Sequence, residues 1–165
     1  DIQNISYLNQ DSVLFLGSIK ENIVFFEKDE DINNEILREI YHVCKLDELL
    51  EDMEKNRVQD IHVYNKLSLG QKQRVCLARA LYSNKKIVIL DEAISNVEKN
   101  LEKEIIINLL NFLQKYKKTS IIVSHSIANY IHVDNIAIMS DGKIIQNGKH
   151  EELIKYNNFY KDNIL

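Results

Sequence analysis

Residues 66–98, KLSLGQKQRVCLARALYSNKKIVILDEAISNVE, contain a helix start, a cationic helix, an apolar strand and an acidic pair in direct succession. Ser68 and Gln71 have the spacing of a capping box, in which each side chain accepts a bond from the backbone of the other residue. The branched apolar run 87–90 is typical of a parallel strand that is covered on both faces. Asp91 and Glu92 follow at its carboxyl end, where open α/β sheets bind their ligands.

Each of these features also has an explanation in folding alone. Capping boxes are common, and an aspartate after a strand often turns the chain or caps a helix. The apolar residues of the helix fall on one side, with Lys72 and Arg79 directed elsewhere, which predicts an amphipathic surface helix. These apolar residues are Leu77, Ala78, Leu81 and Tyr82. The functional alternative uses the same helix start, because its free N–H groups and positive dipole end form a site for phosphate.

The chain before this stretch predicts a short strand and a helical section. Residues 2–8 have a strand pattern, and Gln10 lies in the polar turn that follows, where a surface role is the simplest interpretation. From Asp31 to Leu50 apolar residues recur at helical spacing, with a break at Lys45. Residues 54–66 are polar and irregular, which indicates a connector.

The chain after this stretch alternates between helix and strand again. Residues 101–116 predict a long amphipathic helix, and the apolar residues 121–123 predict a second strand that delivers Ser124 and His125. A lone histidine in such a place is more often structural than catalytic. An Asp141-Gly142 turn then joins two strand-like runs into a β hairpin. The whole pattern predicts an α/β sheet with a small hairpin and an α-rich section attached.

Composition excludes several classes of protein. The net charge is −4 and the charges are interspersed, so the chain offers no electrostatic surface for nucleic acid. Its apolar runs are shorter than the roughly 20 residues of a membrane helix. Cys44 and Cys76 lie in helical patterns, and we expect them to be buried thiols in a reducing compartment.

Taken together, these segments resemble, in type and order, the nucleotide-binding domain of ATP-binding cassette transporters, and of exporters in particular. The similarity covers nearly the whole chain, and several motifs in the right order are far more specific than any one of them. The matching segments are NQDSVLFLGSIKENI at 9–23 for the Q-loop, LSLGQ at 67–71 for the signature, IVILDE at 87–92 for Walker B, SNVE at 95–98 for the D-loop, VSH at 123–125 for the switch histidine and DNIAIMSDGKIIQNGKHEEL at 134–153 for the C-terminal hairpin.

The resemblance implies an α/β, P-loop NTPase-like (RecA-like) fold. Its mostly parallel sheet would carry an inserted α-helical subdomain and a C-terminal β hairpin with helices. Residues 1–165 would form the C-terminal part of one such ATPase domain. Within it, residues 1–28 would be the Q-loop region, 29–83 the helical subdomain ending in the signature helix, and 84–165 the part with Walker B, D-loop, switch histidine and hairpin.

The resemblance also implies a catalytic role for each matched residue. Hydrolysis of ATP needs in-line attack by water, neutralisation of phosphate charge and a held Mg²⁺. Glu92 would be the general base, Asp91 would hold Mg²⁺ mainly through water, and His125 would contact the γ-phosphate. Gln10 would reach the metal or the attacking water and sense the membrane domain.

In this family two such domains close over two ATP molecules. The signature residues Ser68, Gly70 and Gln71 would therefore bind the nucleotide that is held mainly by a second nucleotide-binding domain, in a homodimer or a heterodimer. Ser95 and Glu98 of the D-loop would belong to the same nucleotide interface.

The chain departs from the family pattern most strongly in its glycines. The Walker A loop, G-x-x-x-x-G-K-[ST], does not occur among the 165 residues. Gly142 and Gly148, followed by Lys149, have one residue too many between them and lie on the predicted hairpin, so we reject them as a phosphate loop. We therefore expect a partial domain that begins before the Q-loop but after Walker A, and that is inactive as an isolated fragment.

Smaller departures lie inside the matched segments. Leu69 replaces the first signature glycine, and its bulk would hinder the close approach of backbone to phosphate. Glu98 replaces the D-loop aspartate and Asn9 a proline. Ile61 and His62 stand about where exporters have a Gly-Glu pair that contacts the partner's intracellular loops.

The resemblance leaves competing functions. The first is the ATPase domain of an exporter, coupled to a transmembrane domain at the cytoplasmic face of a membrane. The alternative is a degenerate or regulatory domain that dimerises with an active partner but hydrolyses ATP poorly. A DNA-repair or chromosome-structure ATPase of the same superfamily would need a long coiled coil between Gln10 and Leu67, and this interval has room only for a small helical subdomain.

Overall fold

The computed structural model describes residues 2–11, 13–25, 27–55, 66–126, 130–155 and 160. The chain divides into two compact units, residues 1–124 and 125–165, and each has its own sheet. Ile61 and His62, which stand about where exporters have the Gly-Glu pair, lie outside the described part of the chain.

The first unit is built on a three-stranded sheet in the order β1, β2, β3, and both strand pairs are parallel. The strands are β1 (Ile5–Leu8), β2 (Ile87–Asp91) and β3 (Thr119–Val123). The prediction of a parallel strand at 87–90 is therefore confirmed. The strand predicted at 2–8 is shorter, because Ile2–Asn4 form a 3-10 turn before it.

The two faces of this sheet differ in burial. Val88 and Leu90 are 0% and 2% exposed on one face, whereas Tyr7 and Ile121 on the other face are 59% and 56% exposed. The prediction that β2 is covered on both faces is thus wrong for the described residues. An uninterrupted apolar run makes both faces suitable for burial, but the helices of this unit cover one of them.

Five helices accompany the sheet in the described part of the first unit. They are α1 (Ile19–Val24), α2 (Asn34–Val43), α3 (Asp47–Lys55), α4 (Leu69–Tyr82) and α5 (Lys99–Lys115). The predicted break at Lys45 is confirmed: this residue has a left-handed φ of 54°, which separates α2 from α3. Cys44, beside the break, is fully buried, as expected.

Helix α4 is the centre of the first unit, since it contacts α1, α2 and β1. It is buried nearly all round rather than along one stripe, so the prediction of an amphipathic surface helix is wrong. The reason is that its two arginines are turned inward and bonded to backbone carbonyls. Arg74 donates to the carbonyl of Lys45, and Arg79 donates to those of Val13 and Asn22.

The second unit contains the predicted hairpin, which is confirmed. Strands β4 (Ile136–Ser140) and β5 (Lys143–Gly148) pair antiparallel, and α6 (His150–Leu153) follows. The turn residues Asp141 and Gly142 have φ values of 49° and 74°, as a two-residue hairpin turn requires. Among the residues described in either unit, no helix is both long and apolar enough to cross a membrane.

Candidate functional site

The carboxyl edge of the sheet gathers polar side chains from β1 and β2. Asp91 is the last residue of β2, and Glu92 follows it with a left-handed φ of 50°. Such a conformation is rare for a residue with a side chain and clusters at functional sites. It is held in place because the Glu92 backbone N–H donates to the carbonyl oxygen of Val123 at 3.0 Å.

Gln10 reaches this acidic pair from the end of the neighbouring strand. Because β1 and β2 run parallel, the turn after Leu8 emerges at the same edge of the sheet as Glu92. The Gln10 Nε2 donates to Glu92 Oε2 at 3.3 Å. The structure therefore brings together Gln10 and Glu92, which are predicted site residues 82 positions apart.

Tyr7 is a member of this cluster that the sequence analysis missed. Its hydroxyl donates to Asp91 Oδ2 at 3.2 Å. That hydrogen bond, which needs the protonated phenol, raises the pKa of Tyr7. Strand alternation is the signal that could have indicated this contact. Tyr7 pairs with Ile89, and Asp91, two residues after Ile89, lies on the same face of the sheet.

The oxygen atoms at this edge suit a magnesium ion. Mg²⁺ prefers oxygen ligands and keeps several waters, with one or two carboxylates and the substrate phosphates completing its shell. Asp91, Glu92 and the amide oxygen of Gln10 supply ligands of that kind. In the part of the chain that is described, no cluster of three or more His, Cys, Asp or Glu side chains could enclose a metal. Two carboxylates and one amide oxygen are within the number of protein ligands that Mg²⁺ takes when it keeps several waters.

His125 is the first residue of the second unit, two positions after β3 ends at Val123. Strand β3 pairs parallel with β2, and Val123 is the register partner of Asp91. The first unit therefore delivers the chain to the carboxyl edge immediately before the histidine.

The start of α4 has the predicted capping box, which is confirmed by both of its bonds. The Gln71 N–H donates to Ser68 Oγ at 3.2 Å, and the Ser68 N–H donates to Gln71 Oε1 at 2.8 Å. Leu69 is 52% exposed beside them. The Ser68 hydroxyl accepts in the box and so keeps its own proton for another acceptor.

Gly70 packs against the turn that follows Glu92. A Cβ atom at this position would lie 2.6 Å from the carbonyl oxygen of Asn96. Glycine is thus required here by a close contact inside the first unit. From the sequence, phosphate contact is the only role predicted for Gly70; the steric reason could not be predicted because Asn96 lies 26 positions away.

Residues 95–98 are the second half of the connection between β2 and α5. Ser95 Oγ accepts from Gln73 Nε2 at 3.3 Å, and the Asn96 N–H donates to Gln73 Oε1 at 2.9 Å. Glu98 is the residue before α5 and accepts a bond from the Asn100 side chain at 3.3 Å. Gln73, fully buried, is a second residue that the sequence analysis missed.

Arg79 anchors the segment that follows Gln10 to helix α4. Its guanidinium donates to the carbonyl of Val13 at 3.0 Å and lies 4.5 Å from the ring centre of Phe15. Burial lowers the pKa of Arg79, but the group has bonding partners on several sides. The segment 13–22, α1 and α4 are thereby joined into one packed body.

Comparisons with known proteins agree with this architecture. Residues 2–95 match the ABC transporter family. The chain is 36% identical over 157 residues to the mesentericin-Y105 transport/processing ATP-binding protein MesD of Leuconostoc mesenteroides, with 95% of this chain and 21% of that protein covered. It is 39% identical over 168 residues to the multidrug resistance-like ATP-binding protein MdlA of Buchnera aphidicola, with 95% and 27% covered.

A solved structure, a bacterial Atm1-family ABC exporter with ATP bound, superposes with a TM-score of 0.78 at 23% identity and covers 98% of this chain and 28% of that one. This likeness confirms the predicted α/β fold. The chain spans between 21% and 27% of the length of the two relatives described above.

Proposed function

Because this chain belongs to the ABC transporter family, we propose that it is part of an ATP-binding and ATP-hydrolysing domain of an exporter. In this proposal the domain lies at the cytoplasmic face of a membrane and couples hydrolysis to export through a transmembrane domain. A second nucleotide-binding domain is its partner. The observation that carries the proposal is the Gln10–Glu92 hydrogen bond of 3.3 Å beside Asp91, at the carboxyl edge of a parallel sheet.

Glu92 acts as the general base in this proposal. Its carboxylate takes a proton from the water that attacks the γ-phosphorus of ATP, and the leaving group is ADP. The left-handed backbone of Glu92 and the bond that its N–H donates to the Val123 carbonyl fix the position from which this side chain extends. Gln10 donates to Oε2 of this carboxylate and so restrains its orientation.

Asp91 and Gln10 would hold Mg²⁺ mainly through water, and the ion would neutralise charge on the phosphates. Tyr7 donates to one oxygen of Asp91, so it restrains the rotation of this carboxylate. His125 is assigned to the γ-phosphate. This assignment rests on the sequence motif.

The start of α4 serves the nucleotide of the partner domain. Its N-terminal N–H groups and positive dipole end favour a phosphate there. The Ser68 hydroxyl donates its proton to a phosphate oxygen while its lone pair keeps the bond from Gln71. At the same helix start, Gly70 presents its backbone to the phosphate, and Gln71 completes the capping box. Ser95 and Glu98 lie in the adjoining turn.

A degenerate or regulatory domain is the second candidate, and Leu69 is the observation that favours it. This side chain is 52% exposed at the start of α4, where the family pattern has a glycine. It would stand between the backbone and an approaching phosphate. The two candidates differ in turnover: the first hydrolyses ATP with its own Glu92, and the second does so poorly.

The test uses the complete protein that carries this chain. Glu92→Gln should lower the rate of phosphate release by at least about 100-fold, the usual contribution of a positioned general base. ATP-dependent dimerisation should remain, since the amide keeps the size of the side chain. The control is Glu30→Gln, whose carboxylate is 76% exposed and far from β2 in sequence. Unchanged turnover in Glu92→Gln would exclude the base role and the proposed function with it.

A further inference from the structure

Gln73 is a buried polar residue to which neither the family motif nor the proposed chemistry gives a role. It lies in the second turn of α4 and is 0% exposed. Both ends of its side-chain amide are used: Nε2 donates to Ser95 Oγ at 3.3 Å, and Oε1 accepts from the Asn96 N–H at 2.9 Å. A fully buried amide that is bonded at both ends holds its two neighbours in a fixed relation.

The same contact is reinforced one turn earlier in the helix. The space between the α-carbon of Gly70 and the carbonyl oxygen of Asn96 is too small for a Cβ atom, which would lie 2.6 Å from that oxygen. Gly70 and Gln73 are three residues apart and therefore face the same way on α4. The first turns of α4 therefore contact the turn at 95–96 through two residues, Gly70 and Gln73.

The turn leads directly back to the acidic pair. The Ser95 N–H donates to the carbonyl oxygen of Glu92 at 3.3 Å, and the Glu92 N–H donates to Val123 at 3.0 Å. A short path of hydrogen bonds therefore connects β3, Glu92, Ser95 and Gln73. Within this path, Glu92 is the residue whose carboxylate is assigned to this domain's own ATP, and Gln73 belongs to the helix whose start is assigned to the partner's ATP.

We propose that Gln73 is a positioning residue that fixes the distance and orientation between these two half-sites. This inference rests on the proposed function, because only a closed dimer places two nucleotides against one chain. Gln73 touches neither nucleotide. It acts through Ser95 and Asn96 on Glu92 in one direction and through Gly70 on Ser68 in the other.

The test is a mixed dimer of the complete protein in which one subunit carries Glu92→Gln, so that only one ATP is hydrolysed. Gln73→Met, which has similar volume and no amide, is placed in either subunit. In the subunit with intact Glu92 it should lower kcat by about tenfold and leave KM for ATP within about twofold, because the base is displaced. In the other subunit it should raise KM by about fivefold, because the helix start that covers the active ATP is displaced.

The controls separate this role from general destabilisation. Gln114→Met makes the same change on an exposed surface of α5 and should alter neither constant. Gln73→Glu keeps an acceptor for the Asn96 N–H, so in each placement its effect should be smaller than that of Gln73→Met. If Gln73→Met does not fold, Gln73→Glu replaces it, and the same division between kcat and KM is expected at smaller size. Equal losses of kcat in both placements with unchanged KM, or no loss in either, would overturn the inference. Normal turnover of the Glu92→Gln homodimer would instead refute the proposed function.

Discussion

Arg79 and Asn22 are joined by two hydrogen bonds between α4 and α1: Nε donates to the Asn22 carbonyl at 2.7 Å and Nη2 donates to Asn22 Oδ1 at 3.0 Å. Asn22 is 2% exposed, and its own amide donates to the carbonyls of Phe15 and Ser18. The Arg79 guanidinium thus completes a buried hydrogen-bond network. This network connects the segment after Gln10 to α4, the helix that begins after Ser68.

The planar fork of Arg79 leads to a prediction about stability. Arg79→Lys should lower the free energy of unfolding by about 1–3 kcal/mol, because a lysine cannot serve both Asn22 acceptors and Val13 at once. The measurement is the thermal or urea unfolding midpoint of the complete protein, followed by a signal from this domain. Arg38→Lys, on the exposed side of α2, is the matched control and should shift neither midpoint. A shift of equal size in both variants would contradict the prediction.

The contact of Gly70 with Asn96 predicts an unusual sign for a glycine-to-alanine change. Alanine favours an α-helix over glycine by about 1 kcal/mol, so Gly70→Ala would stabilise α4 if the position were open. The 2.6 Å approach to the Asn96 carbonyl should instead make the variant about 1–3 kcal/mol less stable, as overpacking does. Leu69→Ala, at the neighbouring exposed position, tests the helix without this contact. An increase in the unfolding midpoint of Gly70→Ala would show that the turn at 95–96 yields freely.

Leu69→Gly distinguishes the two candidate functions. The leucine side chain is 52% exposed, so its removal takes little from the core. If its bulk hinders the approach of phosphate, the glycine variant should increase ATP turnover by about fivefold, which corresponds to about 1 kcal/mol for one recovered contact. Steady-state phosphate release by the complete protein measures this. Turnover that stays the same or falls would mean that Leu69 does not limit the signature contact.

Glu39 predicts a stability change that depends on pH. It accepts bonds from Lys115 Nζ at 2.8 Å and from the Tyr116 hydroxyl at 2.7 Å, which join α2 to the end of α5. Partial burial acts to raise the pKa of Glu39, but the bonds from Lys115 and Tyr116 outweigh it, and the net shift is downward. A carboxyl group with a lowered pKa stabilises the folded state above its unfolded pKa, and this contribution is lost as pH falls through the folded pKa.

Glu39→Gln should therefore lower the free energy of unfolding by about 1 kcal/mol at pH 7, a value limited by the exposure of Lys115. The difference between variant and parent should shrink below the unfolded pKa of about 4.3. Unfolding midpoints at neutral and acidic pH measure it, with Glu35→Gln on the exposed surface of α2 as control. A difference that is the same at both pH values would point to packing instead of charge.

Several features could be predicted from the sequence because they depend on residues close together in the chain. The capping box joins Ser68 and Gln71, which are three positions apart, the break at Lys45 separates two periodic runs, and the Asp141-Gly142 turn supplies the φ values of a hairpin. The apolar run 87–90 likewise predicted β2 and placed Asp91 and Glu92 at its carboxyl end. Local backbone preference and hydrophobic period determine such features.

The tertiary structure alone decided which polar groups meet and which faces are covered. The bonds of Gln10 with Glu92 and of Tyr7 with Asp91 cross 82 and 84 residues, and they exist because β1 and β2 pair in one parallel register. The inward turn of Arg79 and the tight approach of Gly70 to Asn96 depend on what packs around α4. The type of a residue determines which hydrogen bonds it can make. Its partner depends on long-range packing, because polar groups that become buried must find a hydrogen-bond partner among the residues packed around them.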